Sequence, residues 1–307
     1  MTKTLISSTA EKLEDFIKKS QLTQVEIAKK LNVSSAQINL YLNGKYTGDI
    51  DTLEKKIESF LVAEKEREVF INRKIQLKFV KTSVASRLFN IAKMCQMGGE
   101  MGMCFGLSGF GKTTAIKQYE KDNFGVIVID PDEDINKRMF IINLAEKLGI
   151  NPNIPIFRLE QQIVSKLKDS GKLIIVDESE NLKPIVFRFL RKIHDRCNFT
   201  FGLLFVGTQR LYNNIAKMKG EFEYFTNRIA MVECLEHLKS EDVKALVSQI
   251  FPNSDNDVLK TFEAACNYNA RELFNILKRT NDLIRSGNNL EPATVKATTK
   301  MLVGGSL

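Results

Sequence analysis

The sequence contains only two histidines, His194 and His237, and its five cysteines are odd in number and widely scattered. None of the cysteines forms a C-x-x-C pair, so the chain lacks both the ligand spacing of a structural zinc site and the even set of a disulfide framework. These absences favour free thiols of a reducing compartment, in the core or on the surface: Cys95, Cys104, Cys197, Cys234 and Cys266.

Long apolar runs are also missing. None approaches the ~20 residues that a helix needs to cross a bilayer. The opening stretch MTKTLISSTAEKLEDF contains acidic residues and lacks the apolar core of a signal peptide. We therefore expect a protein of the cytoplasm with no membrane partner.

The composition is that of a globular chain. Its 307 residues are 43% hydrophobic and 27% charged, enough for one large domain and a small one, and no repeat or low-complexity tract interrupts them. The formal net charge of +8 suggests a polyanionic partner, although a solvated basic surface explains it almost as well.

The most specific motif is GLSGFGKT at residues 106–113, which fits the phosphate-binding loop G-x-x-x-x-G-K-[ST]. In such a loop the glycines let backbone N–H groups turn toward phosphate oxygens, Lys112 reaches the β- and γ-phosphates, and the Thr113 hydroxyl ligates Mg²⁺. An apolar strand at 101–105 precedes it and a helical pattern at 113–121 follows, which argues against a Gly-rich turn without a ligand. The predicted nucleotide contacts here are Gly106, Ser108, Gly109, Gly111, Lys112, Thr113 and Thr114.

Short apolar strands alternate with helical patterns after this loop. Strands are predicted at residues 126–130, 173–177 and 201–207, with a weaker one at 230–234, and helices at 139–149 and 184–197. Such alternation predicts a parallel sheet covered on both faces. Strand signals then stop, and four helices are predicted near 240–250, 257–267, 270–286 and 292–302.

Two carboxylates, Asp177 and Glu178, end the strand LIIVD. Because strand ends on one edge of a parallel sheet converge on the ligand, we expect Asp177 to hold Mg²⁺ with Thr113, and Glu178 to act as base or orienter for the attacking water. The alternative is a solvent-facing cap of the strand. Residues 126–130 place a strand between the two nucleotide motifs, which is typical of hydrolysing motors.

Further polar residues at three places in the chain are candidates for the same site. Thr208 or Gln209, at the next strand end, would hydrogen-bond water or the γ-phosphate, or simply end the strand. Arg228 precedes the fifth strand, where it could project toward a neighbouring subunit. Arg271 opens a lid helix that faces back toward the phosphates. Each arginine could equally be a surface residue or an ion-pair partner.

Together these residues resemble an AAA+ ATPase over residues 79–302. The phosphate loop and the Asp-Glu strand are specific motifs, whereas the sensor strand, Arg228 and the lid Arg271 are soft ones. The resemblance implies ATP hydrolysis with Mg²⁺, in which Lys112, Glu178, Thr208 and Arg228 take part, and with Asp177 and Arg271 among the nucleotide contacts.

The first sixty residues predict a small bundle of three to four helices. Several pairs fit the capping-box spacing S/T-x-x-E/Q, and Asp51 with Glu54 is a looser version. These pairs are Ser8 with Glu11, Thr23 with Glu26, and Ser34 with Gln37. Helical stripes lie between them, one of which consists of Val25, Ile27, Ala28 and Leu31.

Residues 24–43 read as a helix-turn-helix, with Asn32 at the turn because asparagine tolerates the left-handed conformation. Its core would be Ile27, Leu31, Val33, Ile38 and Tyr41, with the small Ala28 at the helix crossing. Gln37, Asn39 and Lys45 would then face DNA edges and phosphates. A protein-docking bundle is the alternative.

This order of modules closely resembles the phage Mu transposition protein B family. The implied fold is α/β: an AAA+ P-loop parallel sheet with a C-terminal helical lid, preceded by a small all-α helix-turn-helix domain. The predicted boundaries are 1–62 for the helix-turn-helix domain, 63–78 for a partly helical charged linker, 79–235 for the ATPase core and 236–307 for the lid. Residues 77–95, with Phe79, Val80 and Thr82, look like the segment that the family places beside adenine.

The resemblance implies an ATP-dependent DNA binder. Such a protein forms helical filaments on double-stranded DNA of largely any sequence, recruits a transposase, and disassembles when ATP is hydrolysed, in a bacterial or phage-infected cytoplasm. We expect Lys137 and Arg138, after the second strand, to contact the DNA backbone, unless they are solvated surface charge. The rival readings are an ATP-switched, sequence-specific regulator and a helicase-loader-like adaptor.

Overall fold

The computed structural model describes residues 8–20, 22–72, 75, 77–133, 135–217 and 223–302. The chain divides into two compact units, Met1–Ile75 and Gln76–Leu307. The parts of the predicted linker at residues 73, 74 and 76 lie outside the described residues. Within the described part, no helix is long and apolar enough to cross a membrane.

The first unit is a helical bundle of α1 Ser8–Lys19, α2 Gln24–Leu31, α3 Ser35–Leu42 and α4 Ile50–Asn72. Two predicted capping boxes are present. Thr23 accepts the Glu26 N–H at 3.3 Å while its own N–H donates to the Glu26 carboxylate at 2.8 Å. Ser34 and Gln37 repeat this exchange at 3.2 and 2.9 Å. These bonds satisfy backbone donors that the first turn of a helix leaves unpaired.

The turn between α2 and α3 passes through Asn32, which adopts the left-handed conformation at φ 53° and ψ 49°. The bundle closes over a buried core of nine residues, Ala10, Leu13, Ile27, Ala28, Leu31, Ile38, Tyr41, Leu53 and Ile57, and Val33 packs against it. All the predicted core positions of residues 24–43 therefore contribute. Val25, by contrast, is exposed.

The start of α4 differs from the expected one. Asp49, not Asp51, caps this helix: its carboxylate accepts the Thr52 N–H at 3.0 Å and the Thr52 hydroxyl at 2.6 Å. Asp51 lies inside the first turn, and Glu54 accepts the Tyr41 hydroxyl at 2.8 Å instead. The helix then continues to Asn72, through most of the segment expected to be a linker.

The described part of the second unit contains five parallel strands: β1 Met101–Phe105, β2 Val126–Ile129, β3 Leu173–Val176, β4 Gly202–Gly207 and β5 Ile229–Cys234. Their order in the sheet is β2-β3-β4-β1-β5. The strand that separates the phosphate-loop strand from the Asp-Glu strand in space is thus β4. The expectation for residues 126–130 was wrong in this respect, because β2 lies between the motifs only along the chain and occupies the edge of the sheet.

Helices cover the sheet as α5 Ser83–Gly98, α6 Lys112–Asp122, α7 Lys137–Lys147, α8 Ile156–Leu167, α9 Pro184–Arg196, α10 Gln209–Lys217 and α11 Glu223–Thr226. On one face Phe140, Ile163, Phe187 and Leu190 pack against buried side chains of β1, β3 and β4. On the other face α5 approaches so closely that a Cβ at Gly102 would lie 2.5 Å from Cys95 Sγ. This burial explains why the strands are almost continuously apolar.

After β5 the structure describes four helices, α12 Ser240–Ser248, α13 Asn256–Cys266, α14 Ala270–Arg285 and α15 Pro292–Lys300. A tight turn joins α13 to α14 through two consecutive residues with positive φ, Asn267 at 45° and Tyr268 at 56°. The Leu238 N–H donates to the Tyr268 carbonyl at 3.0 Å, which holds this turn beside the end of the sheet. The five cysteines are free thiols, and of these only Cys234 is exposed.

Candidate nucleotide-binding site

The phosphate loop connects β1 to α6. Gly109 and Gly111 both have φ 85°, and Gly111 is the N-cap of α6. A Cβ at Gly111 would meet nothing within 4 Å, so glycine is required there by backbone conformation alone. The N–H groups of the first turn of α6 remain available, and a helix N-terminus of this kind attracts phosphate.

Lys112 lies at the centre of the loop and is 8% exposed. Its ammonium donates to the Gly106 carbonyl at 2.9 Å and to the Leu107 carbonyl at 2.8 Å. Burial lowers the pKa of Lys112, and the nearby negative charges of Asp177 and Glu180 oppose that shift. The lysine therefore stabilises the loop through two hydrogen bonds, and it also lines the cavity where phosphates would lie.

Thr113 and Asp177 are in direct contact, since the threonine hydroxyl donates to Asp177 Oδ2 at 2.7 Å. Asp177 is 3% exposed, and its Oδ1 accepts the Glu178 N–H at 3.0 Å. Burial raises the pKa of Asp177, while these hydrogen bonds lower it. A hydroxyl beside a carboxylate offers the hard oxygen ligands that Mg²⁺ prefers, so the pair fits the predicted metal.

Glu178 follows β3 in the left-handed conformation, with φ 45° and ψ 38°. Its exposed carboxylate accepts a hydrogen bond from Asn181 Nδ2 at 3.3 Å. Partial desolvation, followed by the charges of Asp130, Asp177 and Glu180, raises the pKa of Glu178. A strained backbone and a raised pKa beside the phosphate loop are features of catalytic carboxylates.

At the end of β4 the structure distinguishes the two sensor candidates. Thr208 lines the cavity, whereas Gln209 begins α10, is exposed, and donates to Asn213 at 3.5 Å. The Thr208 N–H is held by Glu180, whose two carboxylate oxygens both lie 3.2 Å from it. Sequence reasoning missed Glu180, because no local pattern shows which strand the residue will face.

The helical lid grips the phosphate loop at the start of α14. The Arg271 N–H donates to the Gly109 carbonyl at 3.0 Å, and its guanidinium to the Ser108 hydroxyl at 3.4 Å. Asn269 donates to the Ser108 carbonyl at 3.1 Å, and a Cβ at Gly109 would lie 2.4 Å from its side-chain oxygen. Arg271 is thus near the loop as predicted, and Asn269 is a second contact that sequence reasoning missed.

A cavity of about 720 Å³ opens between the loop, the lid and the segment before α5. Its walls include Thr114 and, from the segment before α5, Phe79, Val80 and Thr82. The Phe79 ring stacks on Phe89 at 6.0 Å between centroids. The cavity therefore combines the polar loop with apolar and aromatic side chains of that segment, which suits a nucleotide with its phosphates on the loop and its base against the segment.

Arg228 lies elsewhere. It precedes Ile229, which pairs with Met101 at the start of β1, whereas the loop follows the end of β1. The guanidinium forms an ion pair with Asp195 at 3.3 Å and lies 5.3 Å from the centre of the Phe199 ring. Arg228 therefore lies at the amino ends of the strands, whereas its own phosphate loop lies at their carboxyl ends.

The residues predicted to contact DNA are dispersed. Lys137 and Arg138 are the first two residues of α7, and the Lys137 ammonium pairs with Glu160 at 2.8 Å while Arg138 is exposed. In the first unit, Asn39 and Lys45 are exposed. Gln37 is committed to its capping box and donates to the Tyr46 hydroxyl at 3.4 Å, which leaves its amide less free than expected.

Comparison with known proteins agrees with this architecture. A family model described as an AAA domain matches residues 95–215. The chain is 26% identical over 264 residues to the Mu-like prophage FluMu DNA transposition protein B of Haemophilus influenzae, covering 82% of this chain and 88% of that protein. It is 24% identical over 258 residues to the ATP-dependent target DNA activator B of Escherichia phage Mu, covering 82% and 81%. The Aeropyrum pernix ORC2 protein, solved in ADPNP-ADP complexes, has a TM-score of 0.56 at 16% identity, covering 75% of this chain and 70% of that one.

These findings confirm the predicted AAA+ fold, the resemblance to the transposition B family and the assignment as an ATPase. Phosphate loop, buried carboxylate, polar strand end and helical lid come together around one cavity. The arrangement can bind a nucleoside triphosphate and activate a water against its terminal phosphate.

Proposed function

Since this chain is an AAA+ ATPase similar over 82% of its length to transposition B proteins, we propose that it is an ATP-dependent activator of target DNA. With ATP bound it assembles on double-stranded DNA, where it recruits and activates a transposase. Hydrolysis of ATP then releases it from the DNA. The observation that carries this proposal is a phosphate loop, a buried carboxylate and a helical lid around one cavity, in a chain that aligns with such activators over 82% of its length.

The residues of the cavity have separate roles in ATP hydrolysis. Lys112 and the loop N–H groups neutralise and orient the β- and γ-phosphates, and Thr113 with Asp177 would hold Mg²⁺, which would supply further positive charge. Glu178 accepts a proton from the attacking water. Thr208 orients that water or the γ-phosphate.

DNA binding draws its support from charge and from the first unit. The net charge of +8 favours a polyanion. Exposed Asn39 and Lys45 at and after α3 and exposed Arg138 at the start of α7 are the candidate contacts. Because such contacts involve phosphates more than base edges, we infer that the protein binds DNA with little sequence preference. We place this binding in the cytoplasm of a bacterium or an infected host.

Assembly follows from the position of Arg228. At the edge opposite its own loop, this arginine can serve only the phosphates of another copy. A guanidinium is permanently charged and presents a rigid fork of donors to phosphate oxygens, so it suits this role. We therefore infer that the ATPase site is completed between neighbouring copies in a helical filament.

Electron microscopy of the purified protein with long DNA tests the proposal directly. Long regular filaments on unrelated DNA sequences with ATP, and their loss with ADP or in high salt, are expected. The matched variant Lys112→Ala should form none. Tight binding of a dimer to one palindrome in either nucleotide state would instead support the sequence-specific regulator.

A further inference from the structure

Glu180 is a charged side chain in the nucleotide cavity that the proposed chemistry does not use. It lies in the 3-10 turn Ser179–Asn181, directly after β3, and it is half-buried. Burial lowers the pKa of Lys112, and the charge of Glu180 partly opposes that shift. Glu180 does not touch Lys112 in any hydrogen bond described for that lysine, so its own contacts indicate its role.

The contacts of Glu180 point across the sheet to β4. Both carboxylate oxygens lie 3.2 Å from the Thr208 nitrogen, whose N–H they accept at the end of that strand. A Cβ at Gly207 would lie 2.3 Å from Glu180 Oε2, so only glycine leaves room for this contact. The carboxylate also faces the first turn of α10, where the helix dipole favours negative charge.

The turn that carries Glu180 also carries Glu178. The Asn181 N–H donates to the Glu178 carbonyl at 2.9 Å, and the Ser179 hydroxyl donates to the Val176 carbonyl at 2.7 Å. These bonds make residues 178–181 one compact piece. A displacement of Glu180 is therefore transmitted to Glu178.

We propose that Glu180 is a positioning residue for ATP hydrolysis: it ties the Thr208 end of β4 to the turn that presents Glu178. The inference rests on the proposed hydrolysis at this site. Its link keeps the sensor strand and the base in register, so that both meet the attacking water in one geometry. Misplacement of a catalytic group by about 1 Å can reduce turnover by up to ~10²-fold.

Steady-state ATPase kinetics on three variants test this role. Glu180→Ala removes the link, whereas Glu180→Gln keeps an oxygen acceptor for the Thr208 N–H and removes only the charge. The matched control is Glu120→Ala, because Glu120 also accepts a strand N–H, that of Val128 at 3.1 Å, but does not itself line the cavity. Affinity for a fluorescent ATP analogue is measured alongside.

Glu180→Ala should lose roughly 10- to 100-fold in kcat with KM and analogue affinity within about twofold. Glu180→Gln and Glu120→Ala should stay within about threefold of wild type. Normal kcat in Glu180→Ala overturns the proposal, and so does a Gln variant as inactive as the Ala variant, because the carboxylate would then act chemically. Wild-type protein without ATP turnover would contradict the proposed function itself.

Gly207→Ala provides an independent route that keeps Glu180 in place. The added methyl group displaces the carboxylate from Thr208, so this variant should show the same selective loss of kcat. Because both changes break one contact, the double variant should be no worse than the weaker single one, within about threefold. Multiplicative losses would show that the two residues act separately and would overturn the link.

Discussion

Glu178 combines two features that an ordinary strand-ending residue lacks. Its left-handed backbone costs a non-glycine residue roughly 1–2 kcal/mol. Partial desolvation, and after it the charges of the neighbouring carboxylates, raise the pKa of its side chain. The fold sustains this conformation beside the phosphate loop through the short turn that follows. Both features are consistent with a base that must accept a proton from water.

Glu178→Gln should therefore bind ATP with nearly normal affinity and lose about 10²- to 10⁴-fold in hydrolysis, because the amide keeps shape but cannot accept the proton. Its DNA complexes should be long-lived, and their dissociation rate after dilution measures this lifetime. Glu180→Gln, the same change two residues away, is the matched control. Rapid hydrolysis in Glu178→Gln would exclude this residue as the base.

His194 is a buried titratable residue far from the nucleotide. Its Nε2–H donates to the carbonyls of Gly99 at 2.8 Å and Phe201 at 3.0 Å, which leaves Nδ1 unprotonated in the neutral ring. Burial lowers the pKa of His194, and these two hydrogen bonds partly oppose the shift. The folded state thus holds a neutral imidazole that the unfolded state would protonate near pH 6.5.

Because the unfolded chain binds this proton more readily, the contribution of His194 to stability is present above about pH 6.5 and is lost as the pH falls through the lowered folded pKa. The slope should reach at most ~1.4 kcal/mol per pH unit. Denaturant unfolding at pH 7.5, 6.5 and 5.5 measures it. His194→Gln should flatten the curve below pH 6.5 relative to His237→Gln; equal slopes in the two variants would contradict this account.

The residues that sequence reasoning missed share one property. Glu180, Asn269 and Asp195 act through partners distant along the chain, namely Thr208, Ser108 and Arg228. The phosphate loop and the Asp177–Glu178 pair could be predicted, because their chemistry requires a fixed local spacing. A contact between two loops depends on which strand lies beside which, and no local pattern contains that information.

Among the elements, the turn between α13 and α14 is the most strained part of the lid. Asn267 and Tyr268 are both left-handed, and the next residue, Asn269, caps α14 and holds the phosphate loop. Hydrogen bonds on either side of the turn enforce this conformation. The contact between the lid and the phosphate loop therefore depends on a turn with a strained backbone.

Comparison of Tyr268→Gly with Tyr268→Ala isolates that backbone term, since both variants lack the ring. The glycine variant should be more stable by about 1 kcal/mol, because alanine has the steric penalty of the left-handed region. At exposed Ala264, inside α13, the change to glycine should have the opposite sign and cost about 1 kcal/mol. Thermal unfolding measures both; equal stability of the two Tyr268 variants would refute the strain.

The DNA contacts of the two basic residues at the start of α7 can be tested one at a time. Arg138 is exposed while Lys137 is paired with Glu160, so Arg138→Ala should weaken binding more than Lys137→Ala. Removal of one side chain that neutralises a phosphate should lower the salt slope of log K by about 0.9. Fluorescence anisotropy at several salt concentrations gives this slope. Lys260→Ala, on the lid, is the control, and an unchanged slope in the double variant would clear both residues.

Element boundaries followed closely from the sequence where apolar runs meet strong end signals. The five strands and the four lid helices begin and end within a few residues of the prediction. The position of β2 in the sheet did not follow, because strand order depends on how each crossover packs. The cap of α4 was also misplaced: Asp51 has a glutamate three residues later and so fits the capping-box spacing, but Asp49 caps the helix through Thr52 without that pattern.

At the scale of the whole molecule, the parallel sheet places the phosphate loop and Arg228 at opposite ends of its strands. The phosphate loop follows the carboxyl end of β1, and Arg228 lies at the amino end of β5, about 13 Å away along the strands. No rotamer change closes that distance within one copy. The ion pair with Asp195 and the contact with Phe199 hold the arginine at the amino ends of the strands.

Arg228→Ala should bind ATP nearly normally but lose about 10³- to 10⁵-fold in DNA-stimulated hydrolysis, as arginines supplied in trans do. Mixing it with Lys112→Ala sharpens the test. Each variant is inactive alone, yet an interface that joins intact Lys112 of one copy to intact Arg228 of another should recover activity. If the mixture stays inactive while co-assembly is shown by crosslinking, Arg228 is not the shared residue.

The same separation of loop and arginine makes any row of these subunits polar. A head-to-tail row closes into a ring or continues as an open helix, and in an open helix its two ends differ. In the proposed filament, the last phosphate loop at one end would have no arginine opposite it, so that subunit should retain its ATP while the interior ones turn over. We therefore expect the filament to persist and grow at this end and to lose subunits from its interior and from its other end.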